Sequence, residues 1–311
     1  MKKVIKVIVF SLLGFVLLVS FLFGHRDRSV ADLTPKYAGT PSEFAQVMGM
    51  NVHYRDEGNP QDSLPIVLIH GTGSSLHTFD AWTNNLKGNK RVVRMDLPGF
   101  GLTGPFPDRK YTIDQYVKFV AAFLADRGIT HCILAGNSLG GQIAWNFTLS
   151  HPEIVHKLIL IDAAGYPKKS TSVPLAFRMA RMPVLNKLLT FITPRFVVKS
   201  SVRNVYADQS KITNELVDRY FYLSLRAGNR QALIDRMQMP YDTSQIGQIK
   251  NIRQPTLILW GEKDGLIPLE SAYRFQQDLP NDSLVILKNS GHVPMEENPE
   301  ESMEVILHFI E

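Results

Sequence analysis

The sequence predicts an α/β domain built around a mostly parallel sheet and preceded by one N-terminal transmembrane helix. Three observations predict this: short apolar runs alternating with amphipathic helical periods, one long helical interval that breaks the alternation, and an uncharged apolar stretch near the N-terminus.

Val7–Phe23 carries no charge and is rich in Leu, Val and Phe. At the rise of an α-helix it reaches roughly 25 Å, close to the hydrocarbon thickness of a bilayer. Val4 and Ile5 extend it, and Lys6 is able to snorkel toward the interface. Residues 1–24 therefore read as an uncleaved signal anchor. A cleavable signal peptide is the competing reading, but Ser20–Gly24 offers a poor small-x-small site. Lys2, Lys3 and Lys6 precede the run, which favours a cytoplasmic N-terminus with the body exported to the periplasm or exterior, or secreted if the segment is removed. Residues 25–43 are polar, contain Pro35, Gly39 and Pro41, and read as a tether.

The body, residues 44–311, opens on two β-rich runs, Phe44–Met48 and Asn51–Arg55, joined at Met48-Gly49-Met50 as a hairpin. Runs of the buried parallel kind follow at Ile66–Ile69, Val92–Met95, Ile133–Ala135, Leu158–Ile161, Thr256–Trp260 and Leu284–Leu287. Between them lie helices. Ile113, Tyr116, Val117, Val120 and Leu124 form one apolar face behind a Thr112…Gln115 capping signal. Asn298 and Pro299 start the last helix. From about Gly165 to Ile252 no buried strand run occurs, and helical patterns such as Leu216, Tyr220, Leu223 and Ala227 replace it. That interval reads as a helical cap over the C-terminal edge of the sheet. Its Leu175, Phe177, Met179, Leu188, Leu189 and Phe191 suit an apolar acyl pocket as well as ordinary helix packing.

Composition removes several function classes. The 311 residues contain one cysteine, so a disulfide framework and a multi-Cys zinc site are excluded. The net charge of +5 owes three lysines to the first 24 residues, which hold no acid. The remainder is nearly balanced and shows no basic stripe of the kind a nucleic-acid binder needs. No His-Glu-x-x-His or clustered acidic motif calls for a catalytic metal, and no cofactor motif occurs.

The chemistry concentrates at strand ends. Gly136-Asn137-Ser138-Leu139-Gly140-Gly141 follows Ile133–Ala135 and opens a helix, the strand-turn-helix setting of a nucleophile elbow. Serine is a weak nucleophile without a base. Among nine histidines, His292 in Asn289–Pro294 lies between a strand and the last helix, at the same sheet edge. Asp264, after Trp260-Gly261, is the carboxylate expected to orient it, with Asp162 after Leu158–Ile161 as the rival position. The backbone N–H of Leu139, at the helix N-terminus, and that of Thr72, in His70–Ser75, are the expected oxyanion donors. His70 reads as a residue that holds its loop, and Asp96 as one that fixes the Asp96–Gly101 turn.

Together these motifs resemble the α/β-hydrolase superfamily from about Phe44 onward: His70-Gly71, Asp96–Gly101, the Gly136–Gly141 elbow, Trp260–Asp264 and Gly291–Pro294 occur in that order. The resemblance implies an eight-stranded sheet with the cap inserted after the sixth strand, Ser138 as nucleophile, Asp264 as acid, His292 as base, and Thr72 and Leu139 as the oxyanion hole. It is closest in pattern to bacterial serine esterases and lipases. C–C bond hydrolases share the Gly-Asn-Ser-x-Gly-Gly elbow but typically place Trp after the catalytic His, where this chain has Val293. Dehalogenases and epoxide hydrolases use Asp at the position of Ser138. The expected function is a membrane-anchored serine hydrolase of small-molecule or lipid esters. The alternatives are a C–C hydrolase or perhydrolase with the same triad and, in another class, a non-catalytic binding protein on this fold. Oligomeric state is not legible.

Overall fold

Side chains alternate between two apolar clusters along the central strands, and this alternation builds the molecule. Val67, Ile69, Leu134, Leu158, Leu160 and Ile258 point into one cluster. Their neighbours Ile66, Leu68, Ile133, Ile159, Ile161 and Leu257 point into the other. Strands buried on both faces read as continuous apolar runs, which is why they were legible. The computed structural model describes residues 21–183 and 185–311, together with Lys3, Lys6, Val7, Phe10, Ser11, Gly14 and Leu18.

The eight strands are β1 (Ser42–Val47), β2 (Met50–Gly58), β3 (Ile66–Ile69), β4 (Arg91–Met95), β5 (Cys132–Asn137), β6 (Val155–Ile161), β7 (Thr256–Gly261) and β8 (Asp282–Leu287). They form one sheet in the order β1-β2-β4-β3-β5-β6-β7-β8. β2 pairs antiparallel with β1 and β4, and all other pairs are parallel. The β1–β2 hairpin turns on Met48 and Gly49, both at positive φ (50° and 76°), the backbone of a tight two-residue loop. Thr112 accepts from Gln115 N at 3.2 Å and starts the helix Ile113–Asp126.

Between β6 and β7 the chain leaves the sheet and builds the helices Leu175–Arg181, Leu185–Leu189, Arg195–Arg203, Asn214–Ser224 and Asn229–Gln238. Phe177, Val202 and Leu233 from three of them line a cavity with Ser138, so this excursion lies over the strand ends.

The N-terminal region departs from the sequence reading. The expected span over residues 1–24 falls mostly outside the described residues. Among the described residues no helix is long and apolar enough to cross a membrane. On that finding the expected localisation, a single-pass membrane protein with an exported or secreted catalytic domain, is corrected, and the expected membrane contact through an N-terminal helix is without support. The junction between this segment and the next is hydrogen-bonded to the cap: Thr193 N donates to Phe23 O at 3.3 Å, and His25 N to Phe191 O at 3.0 Å.

Residues 25–43, read as a tether, are also structured. Ser29 and Asp32 form a reciprocal capping box that starts the helix Val30–Tyr37 despite Pro35 within it. Leu33 and Tyr37 pack with Leu102 and with Leu223 of the cap. Asp27 pairs with Arg230 at 2.6 Å, while Arg28 N donates to Leu225 O at 2.7 Å and its carbonyl accepts from Ala227 N at 2.9 Å. A capped helix with an apolar face and these partners cannot behave as a free linker.

His77 ties this helix to the body. Its Nε2–H donates to Tyr37 O (3.0 Å) and its Nδ1 faces Ser75 Oγ (3.2 Å), the arrangement of a neutral imidazole. Burial lowers its pKa to about 4, with Arg219 and Arg55 adding to the effect and Asp96 and Asp80 opposing it. The unfolded chain then binds a proton below about pH 6.5 that the folded chain refuses until about pH 4. Stability is fully present above that window and falls as pH drops through it, by on the order of 3 kcal/mol for this group. Denaturant unfolding at pH 7 and pH 4.5 should show a loss that His77→Gln narrows. An equal loss in both proteins would sink the assignment.

Candidate active site

The turn after β5 places Ser138 at φ 56° and ψ −114°, backbone that a residue with a side chain adopts only under strain. Glycines make the turn possible by contact as much as by freedom. A Cβ on Gly140 would lie 2.1 Å from Ile69 O, and one on Gly136 would lie 2.2 Å from Gly140 O. The turn is held by Ser138 N donating to Ile161 O, and by Gln142 N and Ala164 N both donating to Ser138 O, each at 3.0 Å.

His292 enters from the loop after β8. Its N–H donates to Val205 O (2.8 Å), and its carbonyl accepts from Asn137 Nδ2 (2.9 Å), so the elbow's own asparagine fixes the histidine loop to the serine turn. Buried Glu297 takes Gly291 N at 2.7 Å and Asp208 N at 2.6 Å on its two oxygens. The sequence reading gave Asn137 no role and did not single out Glu297, which no local motif marks.

Asp264 sits after β7 with Oδ1 accepting from Leu266 N (2.8 Å) and Ile267 N (3.0 Å). Its other oxygen is 2.6 Å from His292 Nδ1. That contact sets the tautomer: Nδ1 carries the proton toward Asp264, leaving the Nε2 lone pair free. Nε2 is buried and has no hydrogen-bond partner among the described residues. Ser138 and His292 line one cavity without bonding each other. The N–H groups of Thr72 and Leu139 donate to no acceptor among the described residues, and both border the cavity space beside Ser138. All five residues singled out in the sequence thus converge.

His70 and Asp96 hold loops beside the site. His70 donates from Nδ1 to Gly71 O (2.8 Å) and accepts from Leu97 N on Nε2 (2.9 Å). Asp96 accepts from Leu76 N and Leu102 N, both at 2.8 Å, and pairs with His53 at 2.7 Å.

Asp162, the rival acid, is present at the site in a different capacity. It is fully buried at φ 44°, takes Gly261 N on Oδ1 at 3.0 Å, and leaves Oδ2 without a partner among the described residues. Side-chain atoms of Asp162, Asp264 and His292 all lie within 4.8 Å of one another. The His292–Asp264 contact is a hydrogen bond, which leaves these atoms poorly disposed as joint ligands of a cation. Burial first, and the Asp264 charge next, raise the Asp162 pKa well above the carboxylate range, so it holds a proton available to Asp264. Above about pH 4 the unfolded chain releases that proton while the folded chain keeps it, so the group costs stability as pH rises. Asp162→Asn, which carries its donor without titrating, should raise the melting temperature at pH 8, and the gain should vanish toward pH 4. A pH-independent difference would rule this out.

Two spaces meet at Ser138. One, of about 120 Å³, is lined mainly by apolar side chains including Phe177, Val202, Val205 and Val293. It adjoins a further apolar space of about 80 Å³ walled by Leu189, Val197 and Leu223. Of the cap residues named from the sequence, Phe177 and Leu189 thus face cavity, whereas Leu188 and Phe191 are exposed. The other space, of about 520 Å³, has a mixed lining in which Lys168, Gln142 and Tyr241 sit beside apolar side chains such as Met237 and Met239.

Comparison with known proteins agrees with this architecture. A model of the alpha/beta hydrolase fold family matches residues 65–299. An uncharacterized hydrolase of Bacillus subtilis (strain 168) is 30% identical over 273 residues, covering 88% of this chain and 99% of that protein. A 2-hydroxy-6-oxo-6-(2'-aminophenyl)hexa-2,4-dienoic acid hydrolase of Metapseudomonas resinovorans is 28% identical over 276 residues, covering 86% of this chain and 90% of that one. Among solved structures, a bacterial membrane phospholipase A superposes with a TM-score of 0.71 at 28% identity, covering 100% of this chain and 98% of that one.

Proposed function

This chain belongs to the α/β-hydrolase fold family, and from that membership we propose that it is a serine hydrolase cleaving carboxylic esters through an acyl-enzyme. The observation that carries the proposal is a strained serine sharing a cavity with the free Nε2 of a histidine whose Nδ1 is bound to a buried carboxylate. In this mechanism Ser138 Oγ attacks the ester carbonyl as His292 Nε2 takes its proton. Asp264 holds the imidazole and stabilises the imidazolium. The oxyanion is met by the N–H groups of Thr72 and Leu139, where fixed donors need no reorganisation. His292 then returns the proton to the leaving alcohol, the C–O bond breaks, and a water activated by the same nitrogen hydrolyses the acyl-serine.

The membrane phospholipase A among its structural neighbours and the apolar space beside Ser138 favour an ester with a hydrocarbon part. A second reading, C–C hydrolysis of a vinylogous diketone, is favoured by the dienoic acid hydrolase among its relatives and by the shared elbow. Val293, where those enzymes typically carry Trp, counts against it.

The test is a series of nitrophenyl esters from acetyl to palmitoyl, run beside fluorophosphonate labelling. Labelling together with turnover on some member of the series is expected, and the chain-length optimum then reports the reach of the apolar space. Labelling without turnover on any ester would move the assignment to the diketones. Absence of both would overturn serine hydrolysis.

A further inference from the structure

The larger of the two spaces at Ser138 is lined by three cations and no acid. Lys168, Arg181 and Arg236 line it with Ser138, Thr72 and Leu139, and no Asp or Glu contributes to its wall. Arg181 and Arg236 come from the cap helices Leu175–Arg181 and Asn229–Gln238, and Lys168 from the segment leading into the cap. Elsewhere in the protein the half-buried and buried arginines are mostly paired: Arg94 with Glu57 and Asp80, Arg91 with Asp56, Arg219 with Glu296, Arg230 with Asp27. The three cavity cations form no salt bridge among the described residues, and Nε of Arg236 is buried without an acceptor. Burial, with Arg181 adding to it and Asp264 opposing, brings the Lys168 ammonium down to about 8. Three like charges around one space, one with an orphaned donor, are unfavourable unless something negative enters.

We propose that this cavity is an anion subsite, and that the substrate is an ester carrying a carboxylate or phosphate on one side of the scissile bond and a hydrocarbon part on the other. The two spaces meet only around Ser138, Thr72, Phe177 and Leu266, so an ester seated at the serine extends one arm into each. Arg236 and Arg181 supply forked donors suited to a planar or tetrahedral oxyanion, and Lys168 supplies a point charge. The inference rests on the reading of Ser138 as the reacting residue, but its test does not need turnover.

Binding of octyl phosphate, octanoate and 1-octanol is measured by calorimetry on the full chain carrying Ser138→Ala. One or both anions should bind at least tenfold more tightly than the alcohol, and which of them does so separates phosphate from carboxylate. Adding Arg236→Gln or, separately, the exposed Arg181→Gln should lower that anion-to-alcohol ratio about tenfold, because each removes a charge-assisted contact. Equal binding of anion and alcohol, or a ratio that neither variant moves, would overturn the subsite. Loss of all ester turnover in the wild type would sink the ester mechanism and leave this result standing.

Discussion

Ser138→Ala is expected to lower ester hydrolysis by about 10⁴-fold or more while leaving the fold intact, because it removes the hydroxyl proposed to attack the ester. Alanine carries the same Cβ as serine, so it inherits the strain at φ 56° and its stability should match the wild type. Ser138→Gly separates chemistry from strain. It should be equally inactive yet more stable by about 1 kcal/mol, since glycine adopts this backbone freely. The measurements are steady-state rates on the best nitrophenyl ester and urea unfolding of all three proteins. Residual activity in the alanine variant within tenfold of wild type would exclude Ser138 as nucleophile. A glycine variant less stable than alanine would show that the turn is not strained as described.

Asp264→Asn should cost about 10⁴-fold in kcat with a small change in KM. The carboxylate has two duties here: Oδ1 takes two backbone N–H groups, and Oδ2 binds Nδ1 of His292. Asparagine can keep the first with its carbonyl. Its amide then faces Nδ1 as a donor, and the imidazole must turn its lone pair that way, placing the proton on Nε2 where the proposed base needs to be empty. The neighbouring carboxyl of Asp162 also loses its acceptor charge, so the Asp162 pKa should fall in this variant. A kcat within tenfold of wild type would mean that Asp264 does not orient the base. In that case Asp162, the other carboxyl in reach, becomes the residue to replace.

The sheet and the serine, histidine and aspartate positions were legible because the information is local. A strand buried on both faces must be apolar at every position, so Ile66–Ile69 and Leu158–Ile161 announce themselves. The elbow is likewise written in adjacent residues. Other features depend on what the chain brings together. Lys168, Arg181 and Arg236 are scattered over the insertion and become a cavity only when the cap is folded. The proton on Asp162 follows from its burial and then from its proximity to Asp264, neither of which a motif encodes. The helix within residues 25–43 is masked for another reason: Pro35, Gly39 and Pro41 have the composition of a linker, while the Ser29–Asp32 capping box that starts the helix rests on two residues. Hydropathy alone predicted a membrane span, and no helix among the described residues meets that length and apolarity.

The pinned segment ahead of β1 changes the mechanics of the cap. An insertion joined to its sheet by two crossovers has an axis through both and one easy rotation about it. Here the chain is fastened to the cap from Phe23 to Tyr37, through Phe191, Thr193, Leu225, Ala227 and Arg230, before it enters the sheet at Ser42. That third attachment closes a linkage and opposes the rotation. Any widening of the cavities at the half-buried Ser138 then draws on play within the linkage itself. Passage to and from the cavities at Ser138 is coupled in this way to the stability of residues that lie far from that serine.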